Sequence, residues 1–410
     1  RDWEKARRVP TELAAELAHA AASGYAAWLQ ARATSDFAGF LPALEQNIAL
    51  KRRYAACFDV PTYDALLDDF EPGLTAPEVS AVFDRLKVGL RLLIERIGAN
   101  TGAVDDSCLK GHFPLDGQQA LMTRIAGRFG FASGVWRLDP TAHPFARSLA
   151  TTDIRLTTRY DERKLEGALL GTIHECGHGL YEEGIDPLLE RTPLASGCSA
   201  ALHESQSRLW ENQLGRGRPF WRFALPLLRE TFPERFNGVD EETVYRAVNK
   251  MEPSLIRVEA DEVTYPMHIV LRFELERDLF EDRLAPADLP DAWNAKMREY
   301  LGIEVPDVAV GVLQDVHWAE GLFGYFPTYA LGTVLAAQIW QRVRADIPDL
   351  DEQFIRGEFT ALREWAREHL HRFGRKFTPK ETIARVAGGP IDPEPFLRYV
   401  GAKVEDLYGA

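Results

Sequence analysis

The chain has 410 residues, 46% hydrophobic and 27% charged, the composition of a globular protein with a substantial core, long enough for two or three ordinary domains or one large one. Its 48 Lys and Arg against 62 Asp and Glu leave a net charge of −14, which argues against a nucleic-acid binder, since that would need a basic footprint to release counterions from phosphate. Four cysteines with no C-x-x-C pair argue against a disulfide framework, a thioredoxin motif and a four-cysteine zinc site.

Read in chain order, the sequence opens at Arg1 without an initiator methionine, as if processed or starting within a longer product. RDWEKARRVP lacks the apolar stretch of a signal peptide. No apolar run reaches the roughly 18 residues that span a bilayer. A soluble, cytoplasmic protein is expected. Helical periodicity then dominates. Residues 10–33 space their apolar side chains by three and four behind Pro10 and Thr11. Residues 76–98 repeat the pattern and stop at a glycine. Further helices are expected over 116–130, 164–183, 199–214, 241–250, 266–284, 290–301, 327–344 and 351–373. Turn signals punctuate them at 70–75 (FEPGLT), 143–145 (HPF), 215–219 (GRGRP) and 285–290 (APADLP). Residues 153–160 (DIRLTTRY) alternate and are β-branched, so a short strand is expected there, with another extended piece near 133–138 (SGVWRL). No repeat, linker or charge block marks a domain boundary. The expected fold is mainly α, one helical domain over 1–410 with a small sheet beside the helix that starts near 164.

That helix carries HECGH at 174–178. Positions i and i+4 differ by about 40° around a helix axis. His174 and His178 therefore point the same way and can share one Zn²⁺ at bonds of about 2.0–2.1 Å. Glu175 is turned away from that line, off the metal but within reach of a water on it, as a general base. The plain alternative is a helix with two satisfied core histidines; with 10 histidines in 410 residues, H-E-x-x-H arises by chance in roughly 2% of such chains. Catalytic zinc needs a third protein ligand and one open position. Glu182 lies too far along the same helix to converge. Glu204, in HESQSRLWEN at 203–212, is the preferred third ligand; His203 is its rival, otherwise a supporting partner or pocket wall. Cys176 faces away from the metal side as an inert buried thiol. Gly177 and Gly179 cost helix stability and suggest close packing. Pro266 bends or starts a helix, and His268 is structural.

Eight runs in order then resemble one family, the Taq-type thermostable metallocarboxypeptidases, which carry HExxH and use zinc or cobalt: YDALLDDFEPGLT (63–75), HPF (143–145), DIRLTTRY (153–160), HECGH (174–178), HESQ (203–206), IRVEADEVTY (256–265), GVLQDVHW (311–318) and FGYFPTYALG (323–332). The resemblance implies a helical fold around a deep groove with the metal at its floor, release of single residues from peptide C-termini, and a homodimer. It matches His174, His178 and Glu204 to the metal ligands and Glu175 to the base. The family's N-terminal helical hairpin has no counterpart before RDWEKARRVP, which implies a more open cleft.

The remaining roles are what the resemblance and the reaction it implies assign to residues of these motifs. The oxyanion formed at a peptide carbonyl needs donors besides the metal; His317, Tyr325 and Tyr329 are the candidates, with aromatic packing as the plain reading of the tyrosines and a bond to Asp315 as that of the histidine. A free C-terminal carboxylate suits an arginine fork. Arg257 leads, against an ordinary i+4 ion pair with Asp261; Arg155 is second, since strand alternation turns it away from the cleft. The strand at 153–160 offers an edge to an extended peptide. The competing readings are an oligopeptidase or endopeptidase with the same zinc chemistry, and a helical scaffold with a vestigial site. No G-x-S-x-G or phosphate-binding glycine motif is present.

Overall fold

A computed structural model describes the whole chain except Ser133, His143 and Ala410. The chain divides into two compact units, Arg1–Glu95 with Met251–Ala330, and Arg96–Lys250 with Leu331–Ala410. Both are built mainly of helices. No helix among the described residues is long and apolar enough to cross a membrane.

In the first unit, helices Thr11–Thr34 and Phe37–Ala55 form a hairpin. Ser35 turns the chain in the left-handed region (φ 55°), and the Asp36 carboxylate accepts from Gly39 N at 3.0 Å, which satisfies a donor at the second helix's start. The hairpin grips an irregular segment between Gly302 and Phe326: Trp28 Nε1 donates to Leu313 O (2.8 Å), and Asn47 Nδ2 donates to Trp318 O and Ala319 O (3.1 and 2.7 Å). Glu276, inside helix Tyr265–Phe280, accepts from Tyr63 Oη, Trp318 Nε1 and Gly324 N. Burial pushes this carboxyl up to about 7. A buried segment without regular structure must still find partners for its backbone. These side chains supply several of them, and they fix the stretch that carries Asp315 and His317.

The second unit holds a three-stranded sheet of β1 (Trp136–Pro140), β2 (Ala146–Ala150) and β3 (Asp153–Thr158), in the order β1-β3-β2. β1 runs parallel to β3, with Trp136 opposite Ile154; β2 is antiparallel, with Arg147 opposite Arg155. Helix Leu165–Glu183 packs on this sheet. Its contact depends on Gly179, where a Cβ would lie 2.7 Å from the Trp136 ring.

Most expected helices appear within a residue or two of their expected ends. Two differ in kind. The 199–214 helix is α-helical only over Ala200–Arg208 and continues as a π-helix over Leu209–Gly215. The 351–373 helix is two, Leu350–Ile355 and Thr360–His369, because Gly357 turns between them at φ 72°. Helices Phe37–Ala55 and Arg218–Thr231 go beyond what periodicity anticipates; each holds an internal proline, Pro42 and Pro226, that reads as a breaker. The expected extended piece is β1, although Ser133 itself lies outside the described residues, as does His143 of the expected 143–145 turn.

Candidate metal centre

Helix Leu165–Glu183 brings His174 and His178 to one side, their ring centroids 4.9 Å apart. Helix Ala200–Arg208, started by the Ser199 side chain accepting from Leu202 N, crosses them closely. Gly177 is what permits this approach: a Cβ there would sit 2.6 Å from Gln206 O and Ser207 Cα. The crossing delivers Glu204, and one donor atom from each of His174, His178 and Glu204 falls within 4.8 Å of the others. Glu204 Oε2 stands 3.7 Å from His174 Nε2 and 3.6 Å from His178 Nε2. Around an ion with bonds of about 2.0–2.1 Å, tetrahedral geometry separates ligand atoms by roughly 3.3 Å. A small contraction would close this set on zinc.

The other Glu204 oxygen is already taken. Oε1 accepts from Arg208 Nε at 2.7 Å, one helical turn on, so Glu204 faces the histidines with a single oxygen, which suits a site that keeps an open position. Burial opposes its charge, but Arg208 and the two histidines hold it well below the usual carboxylate range. Glu211, in the π-helical turn, accepts from His174 Nδ1 at 2.9 Å and from Arg208 Nη1 at 3.1 Å. It is held at about 2 against burial by Arg208, His174 and Arg216. With Nδ1–H donated to a carboxylate, His174 presents its Nε2 lone pair to the metal side. Glu175, beside the first ligand, is buried, and its Oε2 has no hydrogen-bond partner; burial pushes the carboxyl up to about 7. An unpartnered buried carboxylate next to a two-histidine, one-glutamate set is what a water-activating metal centre requires, and the residues present fit it.

His203 does not join the ligand set. Its Nδ1 meets His178 Nδ1 at 2.6 Å, and its Nε2 meets Glu182 Oε1 at 2.9 Å. A cavity of about 330 Å³ opens beside His178, lined also by Ser148, Ile154, Glu182, Ser196 and His203. Cys176 is buried, as expected, and burial pushes its thiol up.

The other candidates gather in the first unit. Arg257 is not on an α-helix with Asp261 as its i+4 partner. It lies in the 3-10 turn Arg257–Glu259, is buried, and forks onto Asp315 (Nε 3.1 Å, Nη2 2.9 Å). Asp261 instead accepts from Val263 N and Thr264 N. Asp315 also takes Arg272, Nε at 2.8 Å. His317 Nε2 meets Tyr329 Oη at 3.1 Å rather than bonding to Asp315, and its Nδ1 has no partner. Burial lowers it to about 3, so it is neutral. Tyr325 lies 5.5 Å from the His317 ring, and the Arg257 guanidinium lies 4.9 Å from the Tyr329 ring. The structure thus brings Arg257, His317, Tyr325 and Tyr329 into one cluster.

At β3, the expectation of a free edge is corrected, and Arg155 is placed on the open face. Arg155 is exposed and its guanidinium forks onto Asp153 at 2.9 and 3.0 Å, because alternation carries both side chains to the open face. β3 is also the central strand, so neither of its edges is free for a peptide. Of the residues the sequence reading passes over, Arg208 and Glu211 carry a legible signal: they follow Glu204 by four and seven residues, on the same helix face. Gly332 carries none. A Cβ there would lie 2.5 Å from Glu204 Cβ and Cγ. Alanine favours a helix over glycine by about 1 kcal/mol, yet Gly332→Ala is expected to displace Glu204 and weaken divalent-metal binding roughly tenfold or more. Competition with a chromophoric chelator measures this, and an unchanged affinity would refute the steric account.

Residues 1–404 match the model of the carboxypeptidase Taq (M32) metallopeptidase family. The chain is 43% identical to thermostable carboxypeptidase 1 of Thermus thermophilus, covering 100% of this chain and 83% of that protein. It is 39% identical to carboxypeptidase 1 of Bacillus subtilis, over 100% of this chain and 82% of the relative. Its fold superimposes on the crystal structure of the M32 carboxypeptidase from Deinococcus radiodurans R1 with a TM-score of 0.97 at 41% identity, over 100% of this chain and 83% of that one. The chain belongs to the carboxypeptidase Taq (M32) family and is a metallocarboxypeptidase, hydrolysing the C-terminal peptide bond of peptides.

Proposed function

We propose that His174, His178 and Glu204 hold zinc, with cobalt as the alternative, and that Glu175 is the general base of the reaction. The observation that carries this is the convergence of three donor atoms beside a buried carboxylate with an unpartnered oxygen. A divalent cation bound there supplies a Lewis acid that makes water a nucleophile near neutral pH and polarises the scissile carbonyl. The chain's own residues do the rest. Glu175 takes the proton of the attacking water and passes it to the leaving amine. Neutral His317 and the hydroxyls of Tyr329 and Tyr325 are the proposed donors to the oxyanion. Arg257 is the proposed clamp for the substrate's free carboxylate: Asp315 locks its fork through Nε and Nη2, while Nη1 donates to Tyr265 Oη at 3.3 Å. An extended peptide would add to β2, whose outer edge pairs with no strand among the described residues and whose Ser148 lines the cavity at His178. A homodimer, which rests on the family resemblance, belongs to the same reading, as do the cytoplasmic location and the one catalytic domain over 1–410 expected from the sequence.

The test is a pair of peptides differing only at the C-terminus. The free acid is expected to lose one residue at a time, seen by mass spectrometry as a ladder, while the amidated peptide is trimmed at least tenfold more slowly. Equal rates would point to an oligopeptidase instead.

A further inference from the structure

The two histidines of the centre are supported differently. His174 Nδ1 meets a carboxylate directly, that of Glu211. His178 Nδ1 meets another imidazole, and only through it a carboxylate. Two ring nitrogens 2.6 Å apart cannot both carry protons, nor can both be bare. One assignment satisfies the whole chain. The Glu182 carboxylate can only accept, so a neutral His203 donates from Nε2 and its Nδ1 keeps a lone pair. His178 must then donate from Nδ1, which leaves its Nε2 lone pair free on the side of Glu204 Oε2.

Glu182 is itself anchored. Its Oε1 also accepts from Gly197 N at 3.1 Å, and its Oε2 accepts from Ser148 Oγ at 3.1 Å. Gly197 lies against the ring it serves: a Cβ there would sit 2.6 Å from His203 Cδ2. Tyr181 covers the His203 ring at 5.1 Å. The relay therefore runs from β2 through Glu182 and His203 to the second metal ligand, along the wall of the cavity beside it.

We propose that Glu182 and His203 are positioning residues for the metal centre: through the chain Ser148–Glu182–His203–His178 they fix the tautomer and ring orientation of His178 and tie that ligand to strand β2. The inference rests on the metal reading above. Neither residue touches the metal or the reacting atoms; both act through His178.

The decisive measurement is zinc affinity, read by chelator competition independently of peptide hydrolysis. His203→Phe keeps a ring of similar shape under Tyr181 but gives His178 Nδ1–H no acceptor. It is expected to bind zinc 10- to 100-fold more weakly than the parent. His203→Gln restores an acceptor and is expected to recover most of that loss. Glu182→Leu removes the end of the relay and is expected to match His203→Phe, while Ser148→Ala falls between them and the parent. A merely structural role predicts that His203→Phe and His203→Gln behave alike, with affinity following the apo melting temperature. That pattern, or a His203→Phe affinity within threefold of the parent, overturns the proposal. Should His203→Phe fail to fold, Glu182→Leu against Glu182→Gln decides by the same criterion, since the amide keeps an acceptor for His203. A parent protein that binds no zinc would sink the metal reading itself, a separate outcome.

Discussion

Glu175→Gln is expected to bind zinc as tightly as the parent and to hydrolyse peptides about 10⁴-fold more slowly, the upper range for loss of a general base. The reason lies in its position. Glu175 is one residue from His174 but lies outside the set that converges, His174, His178 and Glu204. Glutamine has nearly the same volume, so the buried pocket it occupies is undisturbed. Its amide cannot accept the proton that must leave the attacking water, nor return one to the amine. The substitution thus separates holding the metal from using it. Metal analysis of the purified variant beside its kcat on a free-acid peptide makes the comparison. Activity within tenfold of the parent would remove Glu175 from the mechanism, and loss of zinc along with activity would assign it a part in binding the metal.

How much of this was legible beforehand depended on how local each feature is. H-E-x-x-H is a property of one helical turn, and the i, i+4 spacing transfers directly to space; His174 and His178 meet as expected. Glu204 required two helices to cross, and what allows the crossing is Gly177, a residue whose spacing says only that something packs closely there. The supporting groups Arg208 and Glu211 were within reach of the same helical arithmetic. Gly332, which presses on Glu204 from more than a hundred residues away, was not: a glycine's value at a packing contact depends on the partner, and no local pattern encodes the partner. The misreading of β3 as an edge strand has a similar origin. Alternation identified the strand, but strand order is set by long-range pairing, and β2 between residues 146 and 150 has too weak a pattern to show that β3 would be central.

The centre is held by charges in series rather than by apolar packing. Glu204, Arg208, Glu211 and Arg216 alternate in sign along one continuous helical stretch, with neighbouring charges 2.7 to 3.6 Å apart. Each carboxylate is buried but keeps its charge because an arginine faces it. A carboxylate must be ionised to bind a metal; this array favours the ionised form of Glu204. The arginine that ensures this also occupies one carboxylate oxygen, so the device that ionises the ligand limits it to a single bond.

A second buried array, in the first unit, carries the other large expected effect. Asp315→Asn should destabilise the protein by about 3–5 kcal/mol, the usual cost of breaking a buried ion pair by removing one partner. Asp315 sits between two arginines: it takes Arg257 through Nε and Nη2, and Arg272 through Nε and Nη2, the last at 2.5 Å. Arg272 is fully buried, and Arg257 nearly so. Burial opposes the charge of Asp315, yet the two guanidinium groups hold it far below the usual carboxylate range. Asparagine cannot neutralise either one, and its amide N–H₂ would point a donor at donors. Two buried cations would then repel across a gap with little water to screen them. Chemical denaturation of parent and variant measures the loss. Removing Arg272 as well, in the Asp315→Asn/Arg272→Met pair, is expected to recover part of it, because one of the two orphaned charges is gone and the long apolar side chain fills its space. A single substitution with an unchanged denaturation midpoint, or a double variant no better than the single, would show that Asp315 does not compensate these arginines. If Arg257 is the carboxylate clamp, the same single variant should also raise KM for free-acid peptides, since the fork that Asp315 aligns would be free to turn away.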